Sequence, residues 1–85
     1  MNEEYNDLIE LSDFYILSQQ YDEATKILKK AEKMSKVDPK LYYNLGIVYE
    51  ALNEIAEARD AFRLALKLKP DFKSAQEHLD RLIEQ

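Results

Sequence analysis

The side chain best suited to acid–base catalysis near neutral pH is His78, the single histidine of the chain, which has Glu77 and Asp80 near it in the sequence. Covalent catalysis needs a nucleophilic side chain, a base that activates it and a group that orients the base, all in one pocket. The chain has no cysteine, and its serines have no histidine placed to activate them. Those serines are Ser12, Ser18, Ser35 and Ser74. We therefore predict that the protein is not an enzyme.

Cofactor and metal chemistry lack the residues they need. A single glycine cannot build a glycine-rich phosphate loop. Without cysteine there are no thiolate metal sites and no disulfides. One histidine with scattered carboxylates is a poor metal ligand set. We expect no cofactor and no metal.

Length and charge restrict the remaining classes. The 85 residues make one domain at most, because domains usually span about 50 to 250 residues. A net charge of −5 repels a phosphate backbone, so nucleic acid is an unexpected partner. The sequence has no run of 18 apolar residues and an acidic, polar N-terminus, which indicate neither a membrane span nor a signal peptide. We expect a soluble, cytoplasmic protein.

The elements that position the side chains are helices. Apolar residues recur at helical spacing throughout, and one glycine with two prolines leaves few breaks. Asp38-Pro39 is typical of a helix start, with a capping side chain before a proline at the first position. The pattern predicts five helices, at about 4–18, 22–36, 39–52, 55–68 and 72–84. Short connections make consecutive helices antiparallel.

The chain repeats itself with a period of 34 residues. Five identical pairs carry the repeat, and the four without a charge lie on the apolar stripes that we expect to be buried. They are Leu11 and Leu45, Tyr15 and Tyr49, Glu23 and Glu57, Ala24 and Ala58, and Ala31 and Ala65. Gly46 lies in mid-helix, where glycine costs about 1 kcal/mol relative to alanine, so close packing must compensate for it.

These residues resemble the tetratricopeptide repeat. The second unit matches the family pattern with Tyr42, Leu45-Gly46, Tyr49, Ala58, Phe62, Ala65 and Pro70. The first is looser, with Leu8, Leu11-Ser12, Tyr15, Ala24, Leu28 and Ala31. The resemblance implies an all-α protein, a right-handed superhelical stack of antiparallel helix pairs (an α-solenoid) with five helices. It divides residues 1–85 into repeat one at about 5–38, repeat two at about 39–72 and a capping helix at about 73–85.

Polar residues stand at both ends of the predicted stack. Asp80 occupies the small-residue position of the fifth helix, and Asp7 stands where later helices have Leu41 and Ala75. We expect two repeats and a solvating helix to form the complete unit, because terminal repeats need polar outer faces. Tyr5 and Phe14 are the exceptions, since either one can remain exposed for a further contact.

The resemblance implies that the first helix of each hairpin lines a concave, partner-binding groove. The groove residues it picks out are Ile9, Asp13, Ile16, Tyr43, Asn44, Ile47, Glu50, His78 and Arg81. Core packing stays an open alternative for the three isoleucines. Tyr43 should turn toward the groove because Tyr42 fills the core position. Family members that grip a C-terminal carboxylate use five basic or amide residues, of which only Asn44 is present here. We expect Asn44 to hydrogen-bond a ligand's backbone instead.

The predicted groove combines an apolar floor with an acidic side. The floor is Ile9, Tyr43 and Ile47, and the acidic side is Glu10, Asp13 and Glu50. We therefore predict an adaptor that binds a peptide or a segment of another protein, apolar with basic flanks. Two alternatives stay open. One is self-association as a homodimer, and the other is a portion of a larger or designed repeat array with no separate activity.

Overall fold

A computed structural model of the chain describes residues 3–83, which form five helices. They are α1 (Glu3–Leu17), α2 (Tyr21–Met34), α3 (Pro39–Ala51), α4 (Ile55–Leu68) and α5 (Lys73–Ile83). The apolar spacing predicted all five helices, and the helix ends that can be compared lie within two residues of the predicted ones. The predicted end of the fifth helix, at residue 84, lies outside the described residues. None of the five helices is long and apolar enough to cross a membrane.

Two kinds of turn connect the helices. Asp38 caps α3 by accepting a hydrogen bond from the Lys40 backbone N at 3.0 Å, and Pro39 takes the first helical position, as predicted. The turns inside the two hairpins instead place Gln19 and Asn53 in the left-handed region, with φ of 60° and 62°. Because these two residues are one repeat apart, the two hairpins turn in the same way.

Small residues let the two helices of each hairpin approach closely. Ala24 and Ala31 in α2, and Ala58 and Ala65 in α4, are fully buried. In α3, Gly46 faces the ring of Phe62 from α4, and a Cβ at position 46 would lie 2.6 Å from that ring. The mid-helix glycine is therefore explained by packing.

The helices stack in chain order. The closest packing is within the hairpins α1–α2 and α3–α4, and further contacts join α2 to α3 and α4 to α5. A smaller contact joins α1 to α3, which puts the first helices of the two hairpins side by side. The stack is elongated, 37 × 26 × 18 Å.

Apolar residues on one side of α1 are more exposed than the corresponding residues of α3. Leu11 is 37% exposed and Phe14 is 57% exposed. The expectation that Leu11 is buried like Leu45 was wrong, because among residues 3–83 no hairpin lies against that side of α1. Tyr5, which we considered as an exposed contact residue, is buried, and its hydroxyl donates to Asp38 Oδ2 at 2.8 Å.

Candidate peptide-binding groove

A cleft of about 380 Å³ opens between α1 and α3. Its lining combines apolar side chains with one ion pair and one amide. The lining residues are Asp13, Ile16, Leu17, Lys40, Tyr43, Asn44 and Ile47. Five of them are residues that the sequence analysis assigned to the groove, namely Asp13, Ile16, Tyr43, Asn44 and Ile47. The contact between α1 and α3 is what brings them together.

A polar network closes one wall of the cleft. Asp13 accepts hydrogen bonds from Lys40 Nζ at 3.2 Å and from Asn44 Nδ2 at 2.9 Å. The second Nδ2 hydrogen of Asn44 reaches Ser12 Oγ at 3.1 Å, and Ser12 itself donates to the Ile9 carbonyl at 2.7 Å. Both amide hydrogens of Asn44 are thus used inside the fold. These two bonds join α3 to α1, and the predicted hydrogen bond between Asn44 and a ligand's backbone stays a prediction that would have to use the side-chain oxygen as acceptor.

The apolar side chains divide between core and cleft. Ile9 is buried among core residues, so for this residue core packing is the correct alternative. Ile16 and Ile47 are partly buried and line the cleft. Leu17, at the C-terminal end of α1, is 85% exposed. An apolar surface that water still reaches is therefore present in the cleft.

Tyr43 lies at the junction of the cleft with an aromatic cluster. Its ring stacks on Phe72 with centroids 5.0 Å apart, and it meets Phe62 edge-on at 5.9 Å. The ring of His78 stacks on the ring of Phe62, with centroids 5.1 Å apart and an interplanar angle of 11°. The cluster fixes the orientation of Tyr43 before any ligand arrives. Phe62 and Phe72 were absent from the predicted site, although both lie on apolar stripes that converge on α3.

Glu50, His78 and Arg81 form a polar chain between α3 and α5. His78 Nδ1 lies 3.1 Å from Glu50 Oε1 and 2.7 Å from Arg81 Nη2. A ring nitrogen that carries a hydrogen donates to the carboxylate, and one with a free lone pair accepts from the guanidinium, so only one bond exists at a time. None of these three residues is among those that line the cleft between α1 and α3, so their predicted place in the groove stays a prediction.

His78 and Ser12, two residues weighed for acid–base and nucleophilic chemistry, have different partners in the structure. The ring nitrogen partners of His78 are Glu50 and Arg81, whereas the Ser12 hydroxyl is held at the Ile9 carbonyl. Within residues 3–83, no group of three or more His, Cys, Asp or Glu side chains is placed to hold a metal ion.

Two hairpins of like geometry and a fifth helix define the class, an all-α helical repeat protein. The family follows from two sequence models of the tetratricopeptide repeat, one matching residues 8–38 and the other residues 39–72. The chain belongs to the tetratricopeptide repeat family. Repeats of this family generally mediate protein–protein interaction and act as non-catalytic scaffolds. No curated protein matches the chain.

Proposed function

We propose that this tetratricopeptide repeat domain is an adaptor that binds an apolar segment with basic flanks in the cleft between α1 and α3. The observation that carries the proposal is the apolar floor of that cleft. Ile16, Leu17 and Ile47 lie there beside the half-buried ring of Tyr43. Tyrosine rings are favoured anchors at protein interfaces, and this one is held in place by its aromatic neighbours.

Burial of the floor supplies the affinity. Removal of apolar surface from water contributes about 25 cal/mol per Å². Leu17 is the most exposed large apolar side chain of the described residues. A partner that covers it, together with Ile16 and Ile47, gains this term without rearranging the core. An extended segment or one turn of an amphipathic helix fits such a surface.

The charges around the cleft favour a basic partner. The predicted groove residues carry three carboxylates and one cation, namely Glu10, Asp13 and Glu50 with Arg81, and Lys40 adds a second cation at the cleft. Lys40 neutralises Asp13 at one wall of the cleft, with 3.2 Å between Nζ and Oδ2. The excess negative charge therefore lies away from the apolar centre, which matches an apolar segment whose charged residues are at its flanks.

A titration with two synthetic peptides tests the proposal. The peptides share one apolar core and differ in their flanks, with lysines in one and glutamates in the other. Calorimetry with the wild-type protein is expected to show tighter binding of the lysine peptide, and its affinity should fall as salt is added, because salt screens exposed charges. Tighter binding of the glutamate peptide, or no binding of either, would overturn the proposal.

A matched pair of substitutions locates the binding site. Leu17 and Val37 are both highly exposed apolar residues, at 85% and 70%, but only Leu17 lines the cleft. Leu17→Ser is expected to weaken binding of the lysine peptide, whereas Val37→Ser should leave the binding unchanged. Neither residue is in the core, so the folded state is preserved in both variants. Equal effects of the two substitutions would place the peptide elsewhere.

A further inference from the structure

One side of α1 forms a second exposed surface, and comparison with the later repeat explains why it is exposed. Glu4, Asp7, Leu11 and Phe14 follow helical spacing along one side of α1, and all four are exposed. We call this side of the first hairpin the front face. It is separate from the floor of the cleft, which is built from Ile16, Leu17 and residues of α3.

The later helices show what the front face is built to do. Leu11 corresponds by the repeat to Leu45 in α3 and Leu79 in α5, and Phe14 corresponds to Val48 and Leu82. The four later residues are buried. In both later helices a preceding hairpin supplies the cover, through the contacts of α2 with α3 and of α4 with α5. Leu11 and Phe14 therefore keep the apolar character of a helix-packing face.

The second helix of the hairpin contributes to the same face. A crevice between the hairpins has Lys29 and Glu32 of α2 on one side, with Asp60, Ala61 and Leu64 of α4 on the other. The residues one repeat earlier than this α4 trio are Lys26, Ile27 and Lys30. They occupy the corresponding side of α2, directed away from α3. Ile27 is thus the apolar neighbour of Leu11 on the front face, as Ala61 is of Leu45.

The charges of the front face are arranged as two halves that complement each other. The carboxylates Glu4 and Asp7 lie on α1, and the exposed lysines Lys26 and Lys30 lie on α2. The two helices are antiparallel, so the N-terminal half of α1 lies beside the C-terminal half of α2. A twofold axis parallel to the helices would bring α1 of one copy onto α2 of the other. That rotation sets Asp7 of each copy opposite Lys30 of the other, and it sets Leu11 opposite Ile27 about one helical turn further along.

From this arrangement we infer that the front face binds the front face of a second copy of this chain, which forms a twofold dimer closed over Leu11, Phe14 and Ile27. A closed, isologous contact uses the same patch on both partners. The alternative, a head-to-tail stack, would have to cover the outer side of α5. There Gln76 Nε2 donates to Asp80 Oδ1 at 2.8 Å, and both residues are exposed. Covering this polar pair would carry a desolvation cost, against which that side of α5 offers the burial of Ile83, 53% exposed, whereas the front face offers three apolar residues.

Sedimentation equilibrium over micromolar to millimolar concentrations tests the inference on the intact chain. The wild-type protein is expected to associate to a dimer and no further. Phe14→Ser should raise the dimer dissociation constant by about tenfold or more, as loss of an interface aromatic anchor does. Leu17→Ser is the matched control, because Leu17 is more exposed than Phe14 but lies in the cleft. It should leave the dimer unchanged.

A charge exchange tests whether α1 of one copy packs on α2 of the other. One variant carries Glu4→Lys with Asp7→Lys, and the other carries Lys26→Glu with Lys30→Glu. Each variant alone is expected to dimerise more weakly than the wild type, because like charges then face each other across the axis. An equimolar mixture should recover a heterodimer, because the exchanged charges again match.

Three results would overturn the inference. A wild-type chain that stays monomeric throughout the concentration range would show that a second copy does not cover the face. Concentration-dependent growth beyond a dimer would indicate head-to-tail stacking. Failure of the mixed variants to recover association would contradict the pairing of α1 with α2. Circular dichroism of each variant confirms that the helices are intact in every case.

Discussion

Phe62 and Gly46 are a matched pair of residues, in which the ring of one occupies the space that a side chain would need at the other. A Cβ at position 46 would lie 2.6 Å from both Cε1 and Cζ of the ring. In the first repeat the corresponding residues are Leu28 and Ser12, both fully buried. The two hairpins thus divide the same volume differently, with a ring against glycine in one and a smaller leucine against serine in the other.

Gly46→Ala should destabilise the protein although alanine favours helix. The gain in helix propensity is about 1 kcal/mol. Overpacking against the ring costs typically about 1–3 kcal/mol, so we expect a net loss of about 1 kcal/mol in the free energy of unfolding. Urea denaturation measures this loss. In a Phe62→Leu background the same substitution should be neutral or stabilising, as the first repeat tolerates serine there. An equal cost in both backgrounds would contradict the steric explanation.

Periodicity was sufficient to predict the helices, because apolar stripes and the Asp38-Pro39 cap are local signals. It also predicted that Tyr42 points into the core and Tyr43 toward the groove, since adjacent helical residues point in directions about 100° apart. Periodicity could not predict the hydrogen-bond partners of the polar side chains. Asp13 bonds to Lys40 and Asn44 across two helices, and these contacts depend on how closely α1 and α3 approach. Packing distance sets them, and no short sequence motif encodes it.

The two hairpin turns offer a second stability test. Gln19 and Asn53 have φ of 60° and 62°, and the next residue in each turn bonds back to a tyrosine carbonyl, Gln20 to Tyr15 and Glu54 to Tyr49, at 2.8 Å. The left-handed conformation costs a residue with a Cβ about 1–2 kcal/mol, whereas glycine adopts it freely.

Gln19→Gly is therefore expected to stabilise the protein by about 0.5–1 kcal/mol, after the greater entropy of glycine in the unfolded chain is subtracted. Asn53→Gly should gain less, because asparagine tolerates this conformation better than glutamine. Thermal unfolding monitored by circular dichroism compares the two variants. Gln19→Ala serves as the control and should give no such gain. A larger gain at Asn53 than at Gln19 would contradict the argument.

Asp38 has two structural roles that can be separated. Its Oδ1 accepts from the Lys40 backbone N at 3.0 Å as the cap of α3, and its Oδ2 accepts from the Tyr5 hydroxyl at 2.8 Å. Asp38→Ala removes both bonds and should cost about 2 kcal/mol, the sum of a lost cap and a lost hydrogen bond. Tyr5→Phe removes only the second and should cost about 1 kcal/mol.

Asp38→Asn is the matched control, because asparagine caps helices as well as aspartate does and its carbonyl can take one of the two bonds. We expect it to cost clearly less than Asp38→Ala in urea denaturation. If the two substitutions cost the same, the contribution of Asp38 would come from its charge and not from the two hydrogen bonds.

Alkaline pH should destabilise the fold through the buried tyrosines. Burial raises the pKa of Tyr42 from 10.0 to about 12, with a further rise from its hydrogen bond to Glu32 and the charge of that residue. The pKa of Tyr5 is raised in the same way, first by burial and then by Asp38. Because the folded-state pKa of Tyr42 lies above its unfolded value, its contribution is fully present below pH 10 and is lost as the pH rises toward 12.

The free energy of unfolding is therefore expected to fall between pH 10 and about pH 12, and to fall less steeply in Tyr42→Phe. The slope will not vanish in that variant. The pKa of Lys29 is also raised, chiefly by its hydrogen bond with Tyr49. The contribution of Lys29 to the free energy of unfolding therefore also falls as the pH rises. Urea denaturation at a series of pH values gives both slopes, and comparison of slopes removes any constant cost of the substitution. An identical pH dependence in Tyr42→Phe and the wild type would show that the Tyr42 hydroxyl ionises equally easily in the folded and unfolded chain.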